Sequence, residues 1–374
     1  MEQQIKRYVP VSRKILITLS NQLNAKINNR SAKDNYRIPE CWATLKNPKS
    51  IIKQILYYAA ICDSDGEIDG VLTEDVAKAI DVTERTVLNN NKYLEKLGII
   101  STKNSKYFWC FWITLNDYLL NWKGLASQNE KNHPNESHGG YILITDDLLK
   151  ELFAMECVNT LRIAIAFILN EYHKTEKEII VSYKEIKSML PPYLRHKSSI
   201  KKIVMSLDSL FNTKILDTID IKREYKTVKK TFKNATNKLS DLWAVSYQLP
   251  AFLNGLVRKT AEIREGNKLF LDFIHYIQDN HVVTPNISSN DMHSHILEFG
   301  TEVCKKGLER IKFILNESIT FQNETPYKIV HGYIRPGKSD DLKENKFGFY
   351  HDVLESLERN FSKFLRNQLE SLAA

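Results

Sequence analysis

Residues 71–113 read VLTEDVAKAIDVTERTVLNNNKYLEKLGIISTKNSKYFWCFWI. Glu74–Ile80 carries Val76, Ala77 and Ile80 at helical spacing, and Thr73 stands where an N-cap belongs. Asp81-Val82 reads as a turn. Thr83 caps a second helix running to about Leu97, and Gly98 occupies the place where a left-handed residue ends a helix. Ile99–Thr102 and Tyr107–Ile113 have strand composition and are split by the polar turn Lys103-Asn104-Ser105-Lys106. Val76, Ala77, Ile80, Val82, Val87, Leu94 and Leu97 can close one small core. Glu84, Arg85, Asn89, Asn90 and Lys92 are expected to face water, where hydrogen-bonding side chains suit a DNA groove.

Residues 48–62 (PKSIIKQILYYAAIC) supply an apolar helix that would pack beneath this pair, with Pro48 suited to its first turn. The intervening loop, Asp63 to Gly70, superficially has the look of a calcium loop, but its sixth position is Ile68 and its twelfth is Glu74. It reads as a polar turn between helices.

The stretch resembles the winged helix-turn-helix family. The likeness rests on Leu72-Thr73-Glu74-Asp75-Val76-Ala77, Val82-Thr83-Glu84-Arg85-Thr86-Val87 and Tyr93-Leu94-Glu95-Lys96-Leu97-Gly98-Ile99-Ile100. The resemblance implies a recognition helix beginning at Thr83 and a wing turning at 103–106.

Farther along, 124–140 (GLASQNEKNHPNESHGG) has linker composition. Tyr141–Ile144 starts a new unit, followed by helices over Asp146–Met155 and Asn159–His173 and a short strand at Glu178–Val181. Helices are expected from Ser182 to Leu190 and over Lys197–Phe211, then strands at Lys214–Ile219 and Asp241–Leu249. This repeats the element order of 48–113. The expected architecture is mostly α with small β wings: two tandem winged-helix domains and a helical C-terminal domain. Its divisions are an N-terminal extension (1–46), winged helix 1 (47–123), a linker (124–140), winged helix 2 with a long basic wing (141–250) and the helical region (251–374). Within the last, helices are expected at Phe252–Ile263, Asn267–Asp279, Asp291–Glu298, Glu302–Asn316, Pro326–Ile334 and Phe347–Glu370.

The chain has 374 residues and a net charge of +8. Residues 191–238 hold twelve basic and four acidic side chains, an excess equal to that of the whole chain. Positive charge is therefore concentrated on the second recognition helix and its wing, where lysines displace counterions from phosphate. The candidate DNA-binding residues are Thr83, Arg85, Thr86, Asn89, Asn90, Lys92, Lys103 and Lys106 in the first copy. In the second they are Lys197, Ser198, Lys201, Lys202, Lys222, Arg223, Lys226, Lys229, Lys230 and Lys233. Asn is a poor helix former, so Asn89-Asn90-Asn91 inside a helix stands out; its amides can pair with adenine.

Other chemistry is weakly represented. Tyr107-Phe108-Trp109-Cys110-Phe111-Trp112 alternates like a half-buried wing strand rather than a stacking platform. His275, His281, His293, His295 and Cys304 lie close in sequence without zinc-ligand spacing. There is no P-loop, G-x-G-x-x-G, H-E-x-x-H or G-x-S-x-G. No cofactor and no catalytic residue are expected. Five scattered cysteines without a C-x-x-C pair, no signal-peptide pattern and no membrane-length apolar run lead to the expectation of a cytoplasmic, nucleoid-associated protein.

The tandem plan is similar to that of plasmid replication initiators with two winged-helix domains, over Ile51–Ile113 and Leu161–Leu249. In that family both domains bind repeated origin sequences, and dimer and monomer differ in role. Thr325 to Ile334 also looks like a short helical segment in the tails of replication-organising proteins. The expectation is a sequence-specific double-stranded DNA-binding homodimer acting at a plasmid or phage origin. Its C-terminal domain would meet replication or transcription machinery. A transcriptional regulator or prophage repressor is the alternative, and a relaxase-type DNA-processing enzyme the third reading.

Overall fold

The computed structural model describes residues 5–27, 30–104, 110–124, 140–171, 179–216, 243–281, 284–324, 329–330, 333–334 and 341–373. The chain divides into two units, Met1–Arg258 and Lys259–Ala374, with the division inside one helix.

In the first unit the order is β1 (Tyr8–Ser12), α1 (Arg13–Leu19), the pair β2 (Lys26–Ile27) and β3 (Arg30–Ser31), α2 (Ala32–Asn35) and α3 (Glu40–Ala43). Then come α4 (Lys49–Ile61), β4 (Glu67–Leu72), α5 (Thr73–Ile80), α6 (Glu84–Lys96), β5 (Ile100–Asn104) and β6 (Cys110–Leu115). A second series follows: β7 (Tyr141–Thr145), α7 (Asp146–Ala154), α8 (Val158–Glu171), β8 (Ile179–Ser182) and α9 (Tyr183–Met189). It ends with α10 (Lys197–Met205), α11 (Asp208–Phe211), β9 (Lys214–Leu216) and β10 (Ala244–Tyr247).

The two series have the same plan. Their antiparallel sheets are ordered β4-β6-β5 and β8-β10-β9, so in each the strand before the helix pair lies beside the last strand of the hairpin. The first helical hydrogen bonds fix the correspondence. Ile52 N donates to Pro48 O as Leu161 N does to Cys157 O, and Val87 N to Thr83 O as Ile200 N does to His196 O.

The copies are joined through their leading strands. β1 and β7 pair antiparallel with Tyr8 opposite Thr145 and Ser12 opposite Tyr141. YVPVS and YILIT are thus related by a local twofold centred on Pro10 and Leu143. Ser12 and Thr145 end these strands as N-caps, accepting from Ile15 N and Leu148 N, both at 3.2 Å. Their hydroxyls also donate to Asn121 O and Leu253 O, beyond the last strand of each copy. α1 packs on α8 and α4 on α7, so the helix that follows each leading strand rests on the helix that precedes the other copy's sheet.

One apolar core consequently runs through both copies, from Val9, Ile15 and Trp42 through Ile55 and Trp122 to Phe167, Phe211 and Tyr247. Val9, Val11, Ile15, Leu16, Ile38 and Trp42, from the expected N-terminal extension, lie in this core. Gly124 and Gly140 lie in backbone contact, so the linker leaves and re-enters at one place.

The structure corrects several local expectations. Thr73 is the first residue of α5 and Leu72 precedes it without a side-chain cap. The segment Glu67–Leu72 is a strand rather than part of a turn; the Asp63 carboxylate turns the chain into it by accepting from Asp65 N and Glu67 N. Lys197–Phe211 is divided into α10 and α11 at Ser206-Leu207.

The second unit is helical: α12 (Gly255–His281), α13 (Ser289–Phe299), α14 (Thr301–Glu324) and α15 (Asp341–Ala373), with the short strands β11 (Ile329–Val330) and β12 (Tyr333–Ile334). The two helices expected at Phe252–Ile263 and Asn267–Asp279 are one, and Gly266 within it leaves room for the Ile296 side chain to approach the helix closely. A helix over Pro326–Ile334 is replaced by the antiparallel pair Ile329–Ile334 and Val330–Tyr333, in keeping with the β-branched residues there. Phe270, Phe273, Ile277, Ile296, Leu308, Ile311, Leu357, Phe361 and Leu365 form its core.

α15 bends at Asn360, whose φ and ψ are −155° and 60°. The Leu357 carbonyl accepts from Asn286 N at 2.8 Å, and the Asn360 side chain caps Lys363 N. Beside the bend, buried His295 shares a 3.0 Å hydrogen bond between Nε2 and Ser362 Oγ. Burial pushes the His295 pKa down, and Arg366 adds to the effect. Among the described residues no group of three His, Cys, Asp or Glu gathers as metal ligands, and no helix is long and apolar enough to cross a membrane.

Candidate nucleic-acid interface

Thr83 starts α6, its Oγ1 accepting from Thr86 N at 3.2 Å and lying 2.9 Å from Thr86 Oγ1. Both hydroxyls thus set the helix start. Val87, Asn90, Asn91 and Leu94 form the buried stripe of α6 at i, i+3, i+4, i+7. Arg85, Asn89, Lys92 and Lys96 form the opposite, exposed stripe. Lys96 was not among the expected residues; its spacing of four from Lys92 is the signal that reveals it.

Asn90 is the principal correction. It is 8% exposed and faces α4, not water. Its Nδ2 donates to Gln54 Oε1 at 2.9 Å. Gln54 Nε2 donates to Asn91 Oδ1 at 2.7 Å and to the Tyr58 hydroxyl at 2.8 Å. The Tyr58 hydroxyl in turn donates to Asn91 Oδ1 at 2.7 Å. Burial pushes the Tyr58 pKa far up, so the phenol remains protonated and able to donate. The asparagines that looked like base readers are thus divided: Asn89 is exposed, while Asn90 and Asn91 hold the helix down.

Strand β5 is tied to α6 by Glu95 Oε1, which accepts from Thr102 N at 3.1 Å and Thr102 Oγ1 at 2.9 Å. Lys103 is exposed on β5 opposite Trp112, which is 39% exposed, while Phe111 turns inward. Arg85, Asn89, Lys92 and Lys103 are therefore all exposed on α6 and the strand pinned to it. Lys106 and Tyr107–Trp109 lie outside the described residues.

In the second copy, Ile200, Val204 and Leu207 bury one side of α10 and its continuation. Lys197, Ser198 and Lys202 are exposed, and Lys201 is half-buried. The Nζ atoms of Lys197 and Lys201 lie 6.0 Å and 5.8 Å from the ring centre of Trp243, just before β10. Both ammonium groups are thus within cation–π range of the indole. Lys222, Arg223, Lys226, Lys229, Lys230 and Lys233 lie outside the described residues.

Arg162 of α8 braces the first copy by donating to Asn47, the residue two before α4, while Lys53, at the same helical position in α4, is buried and attracted first by Asp81 and then by Glu156. Burial lowers the pKa of both. Neither cation was singled out by sequence, because their meaning depends on pairing one copy with the other.

No protein-family model matches the chain, and no curated protein or solved structure matches it.

Proposed function

We propose that the two copies are winged-helix modules and that the protein is a sequence-specific double-stranded DNA-binding protein acting at a plasmid or phage replication origin. The observation that carries the reading is the repeated plan, with a helix pair backed by strands ordered first, third, second in each copy. Ahead of the first sheet α6 presents Arg85, Asn89, Lys92 and Lys96 as one exposed stripe of donors. In this reading α6 enters a major groove and reads bases, and the basic residues of 191–238 hold phosphates. The C-terminal helical unit would serve self-association or recruitment of replication proteins.

The test is selection of duplexes from a random pool by the full-length protein, followed by transformation of a plasmid that carries the selected sites and this gene but no other origin. Enrichment of one sequence and gene-dependent replication support the proposal. Enrichment without replication leaves a transcriptional regulator, and no enrichment removes the DNA reading.

A further inference from the structure

The same four positions in the two copies carry opposite chemistry. In the first copy Gln54, Tyr58, Asn90 and Asn91 join α4 to α6 through a buried polar network. By the helix correspondence above, their counterparts are Ile163, Phe167, Ile203 and Val204. Ile163, Phe167 and Val204 are fully buried in apolar packing, and Phe167 stacks on Tyr247 at 3.9 Å. The fold therefore accommodates an apolar seam here. Helix-to-helix adhesion alone does not require the amides.

What a polar network adds is direction. Apolar contacts are non-directional and tolerate small rotations of one helix on another. Hydrogen bonds weaken steeply once their angles are lost, and a buried amide deprived of its partner is costly. Gln54 uses both ends of its amide, its oxygen accepting from Asn90 while its nitrogen donates to Asn91 and Tyr58. None of the four side chains has a buried polar atom left without a partner. A rotation of α6 by about 20° would shift side-chain tips on its outer face by roughly 2 Å, given a helix about 10–12 Å across. That is enough to break the network and to misplace a bidentate base contact.

We infer that Gln54, Tyr58, Asn90 and Asn91 are positioning residues that lock the rotation of α6, so that Arg85 and Asn89 meet base edges in one register. This rests on the DNA-binding reading and assigns sequence discrimination to the first copy. The second copy, with an apolar seam at the same place, grips its helix without that constraint.

The test exchanges the network for the second copy's own residues: Gln54→Ile, Tyr58→Phe, Asn90→Ile and Asn91→Val in the full chain. Affinity is measured by fluorescence anisotropy for the duplex enriched by the wild-type protein and for an unselected duplex of equal length, at one salt concentration. The expected result is a fall of tenfold or more in the ratio of the two affinities. Affinity for the unselected duplex and the thermal midpoint by tryptophan fluorescence should stay at or above wild type. An unchanged ratio in a folded variant overturns the inference and leaves the DNA reading intact. If the fourfold variant does not fold, Tyr58→Phe alone removes one hydroxyl at constant shape. A severalfold loss of ratio there supports the role, and a wild-type ratio overturns it. Failure of the wild-type protein to enrich any duplex overturns the DNA reading, and this inference with it.

Discussion

Arg162 donates two hydrogen bonds from Nη2, each 3.0 Å long, to the backbone and side-chain oxygens of Asn47. Asn47 Nδ2 passes the connection on, donating to Thr18 O at 2.7 Å and Leu19 O at 3.2 Å. One side chain of the second copy thereby fixes the end of α1 and the start of α4 in the first.

Arg162→Ala should therefore loosen the whole first unit rather than α8 alone. Charge-assisted hydrogen bonds of this kind make a loss of about 2 kcal/mol the expected size. All five tryptophans lie at or before position 243, so selectively excited tryptophan fluorescence during urea unfolding reports this unit alone. A midpoint equal to wild type would show that the brace contributes nothing.

Gly66 and Gly98 both have positive φ, 86° and 71°, yet their substitutions should differ. A Cβ at Gly98 meets open space, whereas one at Gly66 would strike the Tyr118 ring. Gly98→Ala should cost about 1 kcal/mol, the left-handed penalty alone. Gly66→Ala should cost roughly 3 kcal/mol or more, with overpacking added. The same urea experiment measures both, and equal losses would refute the difference.

The second unit should weaken in mild acid. His295 has its pKa lowered by burial first and by Arg366 second, with Glu298 and Asp291 opposing. The unfolded chain then binds a proton more readily than the fold does. Stability is full above the unfolded value of about 6.5 and declines as pH falls from there towards the lower folded value. Amide exchange of the α13 peptide, followed between pH 7.5 and 5 and corrected for intrinsic rates, should show protection decreasing. His295→Phe should flatten that dependence; an unaltered profile would assign it to other groups.

On the DNA-binding proposal, base reading and phosphate holding should separate by salt dependence. Arg85→Ala should reduce affinity for the enriched duplex far more than for an unselected one. Converting Lys226, Lys229, Lys230 and Lys233 to Gln should lower affinity for both and flatten the log–log salt slope by about 0.9 for each phosphate no longer neutralised. Titrations at several salt concentrations measure both effects. An unchanged slope would take the lysine-rich segment off the DNA.

The chain of residues was enough to place α5, α6 and the hairpin after them. Val76, Ile80, Val87 and Leu94 repeat at helical spacing, Thr83 is a local cap and Gly98 a local stop, and each of these signals acts within a few residues. The second copy was legible as an element order for the same reason. The local likeness between Tyr8–Ser12 and Tyr141–Thr145 was also present in the sequence, since both read Tyr, aliphatic, any, aliphatic, hydroxyl. Its meaning was not, because a strand's partner lies far away in the chain.

Residues 71–113, taken by themselves, determined a helix pair with a hairpin and an exposed donor stripe at Arg85, Asn89 and Lys92. Only the tertiary structure decided that Asn90 and Asn91 turn inward. Helical spacing places them beside Val87 and Leu94, but amides are buried there solely because Gln54 and Tyr58 wait on α4 with matching donors and acceptors. It was tertiary structure, too, that fused the two copies, since Arg162 and Asn47, like β1 and β7, are separated by more than a hundred residues and are neighbours only in the fold.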